Sequence, residues 1–124
     1  MKLGNSLIDY LLDRNGEKVY LEVKSAVLRR GKYAMYPDCP SFRGRKHIKE
    51  LIEYVKKGGK AFILFIAALP GVKAFKPNIE ADLKIYEMLV RAYEIGVKVK
   101  SMAIYYNPKN YYVYLYNPDL EVEF

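Results

Sequence analysis

The sequence predicts an α/β domain in which helices flank a mixed β-sheet. An Asn15-Gly16 pair separates two strand-like runs near the start of the chain, and Asn-Gly is a strong signal for a two-residue hairpin loop. The run 61–69 is almost wholly apolar, as in a central strand that is covered on both faces. Stretches with the apolar spacing of a helix lie on either side of this run. The order of strands, helix, strand, helix and strands is typical of a mixed α/β sheet.

The first predicted hairpin joins strands at about 7–12 and 18–28. With the Asn-Gly pair as its loop, Asp9 faces Glu22 across the two strands. Lys24 lies two residues beyond Glu22 and therefore on the same face of the sheet. The register thus brings two carboxylates and a lysine together.

Apolar residues of the hairpin alternate with these charged residues and predict its core face. That face comprises Ile8, Tyr10 and Leu12 on the first strand and Val19, Leu21 and Val23 on the second. A slip of one residue would exchange the two faces, so burial of the apolar set fixes the register. We therefore expect the charged residues on the face opposite the core.

The rest of the chain supplies the helices and the remaining strands. Ser41 is a suitable N-cap for the first helix, whose apolar residues recur at helical spacing as far as the Gly58-Gly59 pair. The second helix is predicted at about 80–95, with Gly96 at its C-terminal end. The remaining strands are predicted at 33–36, 61–69, 97–106 and 111–116, the last two as a tyrosine-rich edge hairpin.

The composition indicates one folded domain over residues 1–124. Hydrophobic residues make up 52% of the chain and charged residues 28%, and no repeat, linker or low-complexity segment interrupts it. The longest apolar run, 61–72, contains Pro70 and Gly71 and is too short to span a bilayer. Because no signal-like segment opens the chain, we expect a cytoplasmic protein without membrane association.

Cysteine and histidine content limits the metal sites that one chain can form. The single cysteine, Cys39, permits no internal disulfide, and the single histidine, His47, excludes a zinc site built from several histidines. Hard oxygen ligands from Asp and Glu remain, and these favour Mg²⁺ or Mn²⁺. A net charge of +7 also suits a polyanionic partner such as nucleic acid.

Asp9, Glu22 and Lys24 fit the pattern of acid, acid, any residue and lysine that serves metal-dependent phosphodiester cleavage. In this chemistry two carboxylates bind Mg²⁺ beside the scissile phosphate, and the lysine orients water or neutralises charge in the transition state. The short acid-x-lysine string recurs at 82–84, in the second predicted helix and without a facing acid. The alternative interpretation is a ladder of charges on a solvated sheet face.

A basic cluster lies at the start of the first predicted helix and comprises Arg43, Arg45, Lys46 and His47. Exposed amides and the helix dipole favour anions at such a helix end, so these residues are candidate contacts for nucleic-acid phosphates. The alternative is a solvated basic face. Asp38, in the preceding loop, either reaches the same cavity or only stabilises the turn.

Four motifs follow one another along the chain: NSLIDYLL at 5–12, VYLEVKS at 19–25, AMYPDCP at 34–40 and RGRKH at 43–47. Together they resemble the C-terminal domain of the sugar fermentation stimulation protein (SfsA) family. The resemblance implies a restriction-endonuclease-like core in which Asp9, Glu22 and Lys24 occupy the positions of the PD-(D/E)XK motif. It also implies DNA binding without strong sequence preference, a nuclease-like site and a regulatory role in sugar metabolism.

Two features depart from the family pattern. An N-terminal OB-like domain that could hold nucleic acid is expected to be absent, because the chain opens almost at its first core strand. Leu7 stands where an arginine is common in the family. Both departures are expected to weaken DNA binding.

The leading hypothesis is a DNA-binding, nuclease-like protein with a Mg²⁺-dependent endonuclease site. The alternative is a non-catalytic, sequence-non-specific DNA-binding protein or regulator of sugar metabolism. A third possibility is action through a protein partner or as a homodimer, with the final tyrosine-rich hairpin as the interface.

Overall fold

A computed structural model describes residues 1–124 as two helices, eleven strands and their connections. The helices are α1 (Phe42–Lys56) and α2 (Leu83–Ile95). The strands are β1 (Lys2–Leu3), β2 (Ser6–Leu7), β3 (Tyr10–Arg14), β4 (Glu17–Ser25), β5 (Leu28–Arg30), β6 (Tyr33–Tyr36), β7 (Lys60–Ala68), β8 (Ala74–Pro77), β9 (Lys98–Asn107), β10 (Tyr112–Asn117) and β11 (Glu121–Val122). Neither helix has the length and hydrophobicity that crossing a membrane requires.

The larger sheet has five strands in the order β10-β9-β7-β4-β3. Its central strand β7 runs parallel to β4 and β9, whereas β3 and β10 pair antiparallel at the two edges. Ala61, Ile63, Phe65 and Ala67 of β7 are buried. The predicted mixed sheet, its central strand and its edge hairpin are therefore confirmed.

The first hairpin forms in the predicted register, with Tyr10 paired to Leu21. Asn15 and Gly16 have φ values of 54° and 84°. A type I′ turn needs such left-handed values at both of its loop positions, which is why Asn-Gly specifies it. The local turn chemistry therefore fixes which residues of the two strands face each other.

The predicted strand at 18–28 is confirmed over 18–25 and wrong in continuing as one strand through 26–28. β4 ends at Ser25, and β5 folds back on β6 through Gly31, which has a φ of 59°. These strands belong to a separate four-stranded sheet of order β11-β8-β6-β5, so β6 does not neighbour β4. β8 pairs parallel with β6 and was missed because its four residues show no strand-like alternation.

The predicted core face of the first hairpin is confirmed at Ile8 and Val19, which are buried, and wrong at Tyr10 and Leu12. Tyr10 and Leu12 are 54% and 46% exposed, whereas Glu22, on the opposite face, is 2% exposed. Pairing between strands explains this result, because Glu22 lies beside Ile63 of β7 on the face that α1 covers. Glu22 is therefore on the helix-covered side of the sheet, whereas Asp9 is exposed in the bend just before β3.

Helix α1 begins at its predicted N-cap. The Ser41 hydroxyl oxygen accepts a hydrogen bond from the Gly44 N–H at 2.9 Å. Gly44 has no room for a side chain, because a Cβ there would lie 2.4 Å from the Tyr36 hydroxyl oxygen. The first turn of α1 consequently sits close against the end of β6.

Helix α2 begins after Asp82, slightly later than predicted. The Asp82 carboxylate accepts a hydrogen bond from the Ile85 N–H at 3.1 Å and so acts as the N-cap. It also accepts from the Ser41 N–H and pairs with the Arg45 guanidinium, which ties α2 to the start of α1. Gly96 ends the helix as predicted, with a left-handed φ of 112°.

Candidate metal and phosphodiester site

The two candidate acids are linked by hydrogen bonds between their carboxylates and the neighbouring backbone. The Asp9 N–H donates to Glu22 Oε1 at 3.1 Å, and the Val23 N–H donates to Asp9 Oδ2 at 2.8 Å. Each carboxylate thereby keeps one oxygen in a hydrogen bond with a backbone N–H, and Glu22 Oε2 also contacts Lys24 and His47. The predicted juxtaposition of Asp9 and Glu22 is present.

Lys24 completes the predicted group on the same face of β4. Its Nζ lies 3.2 Å from Glu22 Oε2, and its side chain is only 14% exposed. Because the Lys24 side chain is mostly shielded from solvent, its positive charge interacts strongly with the adjacent Glu22 carboxylate.

His47 enters the same group from α1. Its Nδ1 contacts Glu22 Oε2 and lies 2.9 Å from Lys24 Nζ, and the residue is 5% exposed. The histidine is therefore inside the acidic site, and it also lines the groove beside Arg43 and Lys46. Its position could have been read from helical spacing, because His47 and Leu51 are four residues apart on the buried face of α1.

Burial and close contacts shift the pKa values of Asp9, Glu22 and His47 in different directions. Burial raises the pKa of Asp9, but hydrogen bonds with Glu22 and Val23 and the charge of Lys24 outweigh it, leaving that pKa below its ordinary value. Burial, together with the Asp9 contact, raises the pKa of Glu22. Burial and the nearby Lys24 lower the pKa of His47 to about 4. At neutral pH the imidazole is neutral, and Glu22 is the acid that protonates more easily.

The residues present suit a divalent cation of the Mg²⁺ type. Asp9 and Glu22 offer carboxylate oxygens at one place, and their mutual proximity is what a cation would relieve. No three or more His, Cys, Asp or Glu side chains form a ready-made metal cage in this chain. Two carboxylates are nevertheless a sufficient protein contribution for Mg²⁺, which retains several waters and takes the rest of its ligands from a substrate phosphate.

The basic cluster divides between two roles. Arg43 and Lys46 line an open groove of about 450 Å³ that also reaches His47. Arg45 instead faces Asp82, with its Nη2 3.0 Å from Asp82 Oδ1. The Asp82 side chain is fully buried, so the Arg45 guanidinium serves as its counter-ion.

Asp38 and Cys39 remain outside the group. Both are exposed in the loop before α1, and Asp38 makes no ion pair or hydrogen bond with the acid pair. The charge of Asp38 raises the pKa of the Cys39 thiol, which keeps the thiol protonated. The second acid-x-lysine string begins at Asp82, which is a helix cap and not part of a paired acid site.

Comparison with known proteins identifies the family. The family described as "Sugar fermentation stimulation protein RE domain" (SfsA) matches residues 1–110. This chain belongs to the SfsA family.

Archaeal members of the SfsA family are close in sequence. A sugar fermentation stimulation protein homolog of Pyrococcus furiosus is 50% identical over 104 residues, which cover 84% of this chain and 45% of that protein. A homolog of Archaeoglobus fulgidus is 49% identical over 123 residues, 98% of this chain and 52% of that protein. The chain thus spans about half the length of the curated relatives it matches.

A solved structure of the family agrees with this fold over the whole chain. The structure of Pyrococcus furiosus SfsA in complex with Ca²⁺ superposes with a TM-score of 0.96 at 44% identity, covering 100% of this chain and 53% of that one. The agreement supports the restriction-endonuclease-like α/β fold. The Ca²⁺ complex also shows that a relative of this chain binds a divalent metal.

Proposed function

We propose that this SfsA-family chain is a Mg²⁺- or Mn²⁺-dependent phosphodiesterase, a DNA endonuclease, with Asp9 and Glu22 as the metal ligands. The observation that carries the proposal is the convergence of two facing carboxylates with the partly buried side chain of Lys24. A buried acid such as Glu22 seldom lies this close to a second carboxylate, because burial of a charge is costly and like charges repel.

The metal, when bound, would supply Lewis-acid stabilisation of the phosphate and a lowered pKa for an attacking water. Lys24 Nζ, next to Glu22 Oε2, is placed to neutralise negative charge that develops on the phosphate oxygens. His47 contacts both Glu22 and Lys24 and acts in the proposal as a positioning residue for the two. Its neutral imidazole leaves the positive charge of the site on the lysine.

DNA is the proposed substrate because the basic groove lies beside this group. The chain carries a net charge of +7, and Arg43 and Lys46 line the groove that reaches His47. These two residues are the proposed phosphate contacts. Arg45 serves the proposal indirectly, since its ion pair with Asp82 fixes the first turn of α1 from which both contacts project.

Calorimetric titration with Mn²⁺ tests the metal site without requiring turnover. Binding should be present in the wild-type protein and lost in Asp9→Asn and in Glu22→Gln, because each variant removes one carboxylate charge. Asp119→Asn is a matched control, since Asp119 is exposed in a turn far from the acid pair in sequence. Equal Mn²⁺ binding by all four proteins would refute the assignment of the ligands.

The second candidate is a non-catalytic DNA-binding protein, with sequence-non-specific binding and a regulatory role. It is favoured by one observation: Glu22 is already paired with Lys24 and His47, so the site has internal counter-ions. DNA binding would then persist in EDTA and fall steeply with salt. Metal-dependent cleavage that requires Asp9 would exclude this candidate.

A homodimer through the β9–β10 hairpin is a further proposal about assembly. Tyr111 and Tyr112 at its tip are 79% and 64% exposed, and β10 is an edge strand with free pairing groups. Sedimentation velocity at high protein concentration should show a dimer that Tyr112→Lys dissociates. A monomer at every concentration would refute the homodimer.

A further inference from the structure

The groove beside the acid pair contains features that phosphate binding alone does not explain. We name it the Phe42 groove; its lining includes Ser6, Leu7, Phe42, Arg43, Lys46 and His47. Its volume of about 450 Å³ falls within the range of roughly 300 to 1,000 Å³ that is usual for small-molecule sites. His47 joins the groove to Glu22 and Lys24.

Phe42 presents an aromatic ring to solvent at the mouth of this groove. The residue is 80% exposed at the first position of α1, where burial contributes little to stability. The Arg45 guanidinium lies 4.8 Å from the ring centroid, and Arg45 is itself held by the buried carboxylate of Asp82. The ring is therefore held in place by a fixed cation while most of its surface remains free to stack.

The groove offers a second apolar contact at Leu7, which is 69% exposed. Ser6 also lines the groove, but it is 4% exposed and its hydroxyl oxygen is too buried to contact a ligand there. Two exposed apolar side chains, Phe42 and Leu7, thus line one opening.

The charge of the groove selects an anion. Arg43 and Lys46 are the charged side chains that line it, and no acidic side chain does. A ligand with a flat apolar surface and a phosphate would satisfy both the aromatic ring and the two cations. A nucleotide has this combination of groups.

We propose that the Phe42 groove binds one unpaired nucleotide of a DNA strand, with its base stacked on Phe42 and its phosphate contacted by Arg43 and Lys46. The base must be unpaired, because the faces of a base within a duplex are already covered by its neighbours. The placement of this nucleotide next to the cleaved phosphate rests on the proposed function. The stacking itself does not, so the substrate preference can be tested without cleavage.

The test is binding of fluorescent oligonucleotides in EDTA, where metal-dependent cleavage is suppressed. Wild type should bind single-stranded DNA more tightly than a duplex of the same sequence, and Phe42→Ala should weaken single-strand binding by roughly tenfold. Phe42→Tyr should retain wild-type binding because it keeps the stacking ring. Tyr93→Ala removes an exposed ring on α2, outside the groove and outside the proposed dimer hairpin, and should have no effect.

A 2-aminopurine base in the single strand reports stacking directly, because its fluorescence is quenched when it stacks. Quenching should occur with wild type and Phe42→Tyr and be lost with Phe42→Ala. Equal affinity of Phe42→Ala and wild type for single strands, or a preference for duplex, would overturn the groove proposal. Phe42-dependent binding in a protein that cleaves nothing would support the groove while refuting the nuclease function. Cleavage of duplex DNA that requires Asp9 but is unchanged by Phe42→Ala would support the nuclease function and refute the groove proposal.

Discussion

Glu22 is the residue around which the candidate site is organised. Its side chain is 2% exposed, yet Asp9, Lys24 and His47 all contact it. A buried ion pair adds little stability compared with an apolar residue of similar size, because desolvation offsets the attraction. A functional role explains the retention of this buried acid better than stability does.

The proton on Glu22 should compete with metal. Because the pKa of Glu22 is raised above its ordinary value of 4.5, the group holds a proton to higher pH than an exposed glutamate does. Mn²⁺ affinity should therefore increase with pH over the interval above 4.5 in which Glu22 loses its proton, with proton release on binding. Calorimetry in two buffers of different ionisation enthalpy measures both quantities. Affinity that is independent of pH over this interval would contradict the assignment of Glu22 as a ligand.

Asp82 gives a separate pH dependence, in folding stability. Burial opposes ionisation of Asp82, but the Ser41 N–H, Arg45 and the Ile85 N–H outweigh it and hold its pKa below the ordinary value of 3.8. A lowered folded-state pKa stabilises the protein above the unfolded pKa, and this contribution is lost as pH falls through the folded-state pKa. Asp82→Asn should lower the free energy of unfolding at neutral pH by about 2 to 4 kcal/mol.

Urea denaturation at pH 7 and at low pH measures the Asp82 effect. The gap between wild type and Asp82→Asn should narrow as the pH falls below 3.8, where the wild-type carboxylate also protonates. Glu80→Gln is the control, because the Glu80–Arg30 pair is exposed and should contribute no more than about 1 kcal/mol. A gap of the same size at both pH values would show that the charge of Asp82 is not the cause.

At the scale of elements, the start of α1 decides whether the site forms. This one turn supplies Arg43 and Lys46 to the groove and His47 to the acid pair. Its distance from β6 is set by Gly44, which leaves no space for a methyl group below the Tyr36 hydroxyl. A small change here would move all three functional side chains together.

Gly44→Ala tests the importance of this close approach. The added Cβ would lie 2.4 Å from the Tyr36 hydroxyl oxygen and 3.0 Å from the capping Ser41 Oγ. We expect a loss of about 1 to 3 kcal/mol in the free energy of unfolding, although alanine normally favours a helix over glycine. Thermal denaturation measures the change, with Lys49→Ala at an exposed position of α1 as the control. A more stable Gly44→Ala protein would contradict the packing described for this turn.

The turn and the helix cap could be predicted from the sequence, whereas the face of the sheet on which α1 packs could not. The Asn15-Gly16 turn gave the strand register, and Ser41 gave the start of α1, because both depend on neighbours in sequence. The burial of Glu22 on β4 depends on where α1 packs, and alternation alone placed this residue on an open face. The same non-local packing hid the Arg45–Asp82 pair, whose partners are 37 residues apart.

At the scale of the whole molecule, the positive charge of the chain has a definite position beside the site. The net charge of +7 makes attraction to DNA long-ranged, while Arg43 and Lys46 concentrate it at the groove. The acid pair lies beyond His47 from this groove, so a phosphate drawn in by the cations would approach the proposed metal ligands.

The salt dependence of DNA affinity should report the number of phosphate contacts. Each of Arg43→Ala and Lys46→Ala should reduce the slope of log affinity against log salt concentration by about one, and weaken binding similarly for different sequences. Fluorescence anisotropy with DNA in EDTA measures the slope. Lys57→Ala, an exposed lysine at the opposite end of α1, is the control and should leave the slope nearly unchanged. Unchanged slopes in all three variants would place the DNA elsewhere.

The central claim is that Asp9, Glu22 and Lys24 form a metal-dependent phosphodiesterase site. Cleavage of labelled single-stranded and duplex DNA with Mg²⁺ or Mn²⁺ tests it most directly, comparing wild type with Asp9→Ala, Lys24→Ala and the control Asp119→Asn. We expect metal-dependent cleavage by wild type and the control, with a loss of about a hundredfold or more in both site variants. No cleavage by the wild-type protein, or undiminished cleavage by the site variants, would contradict the claim.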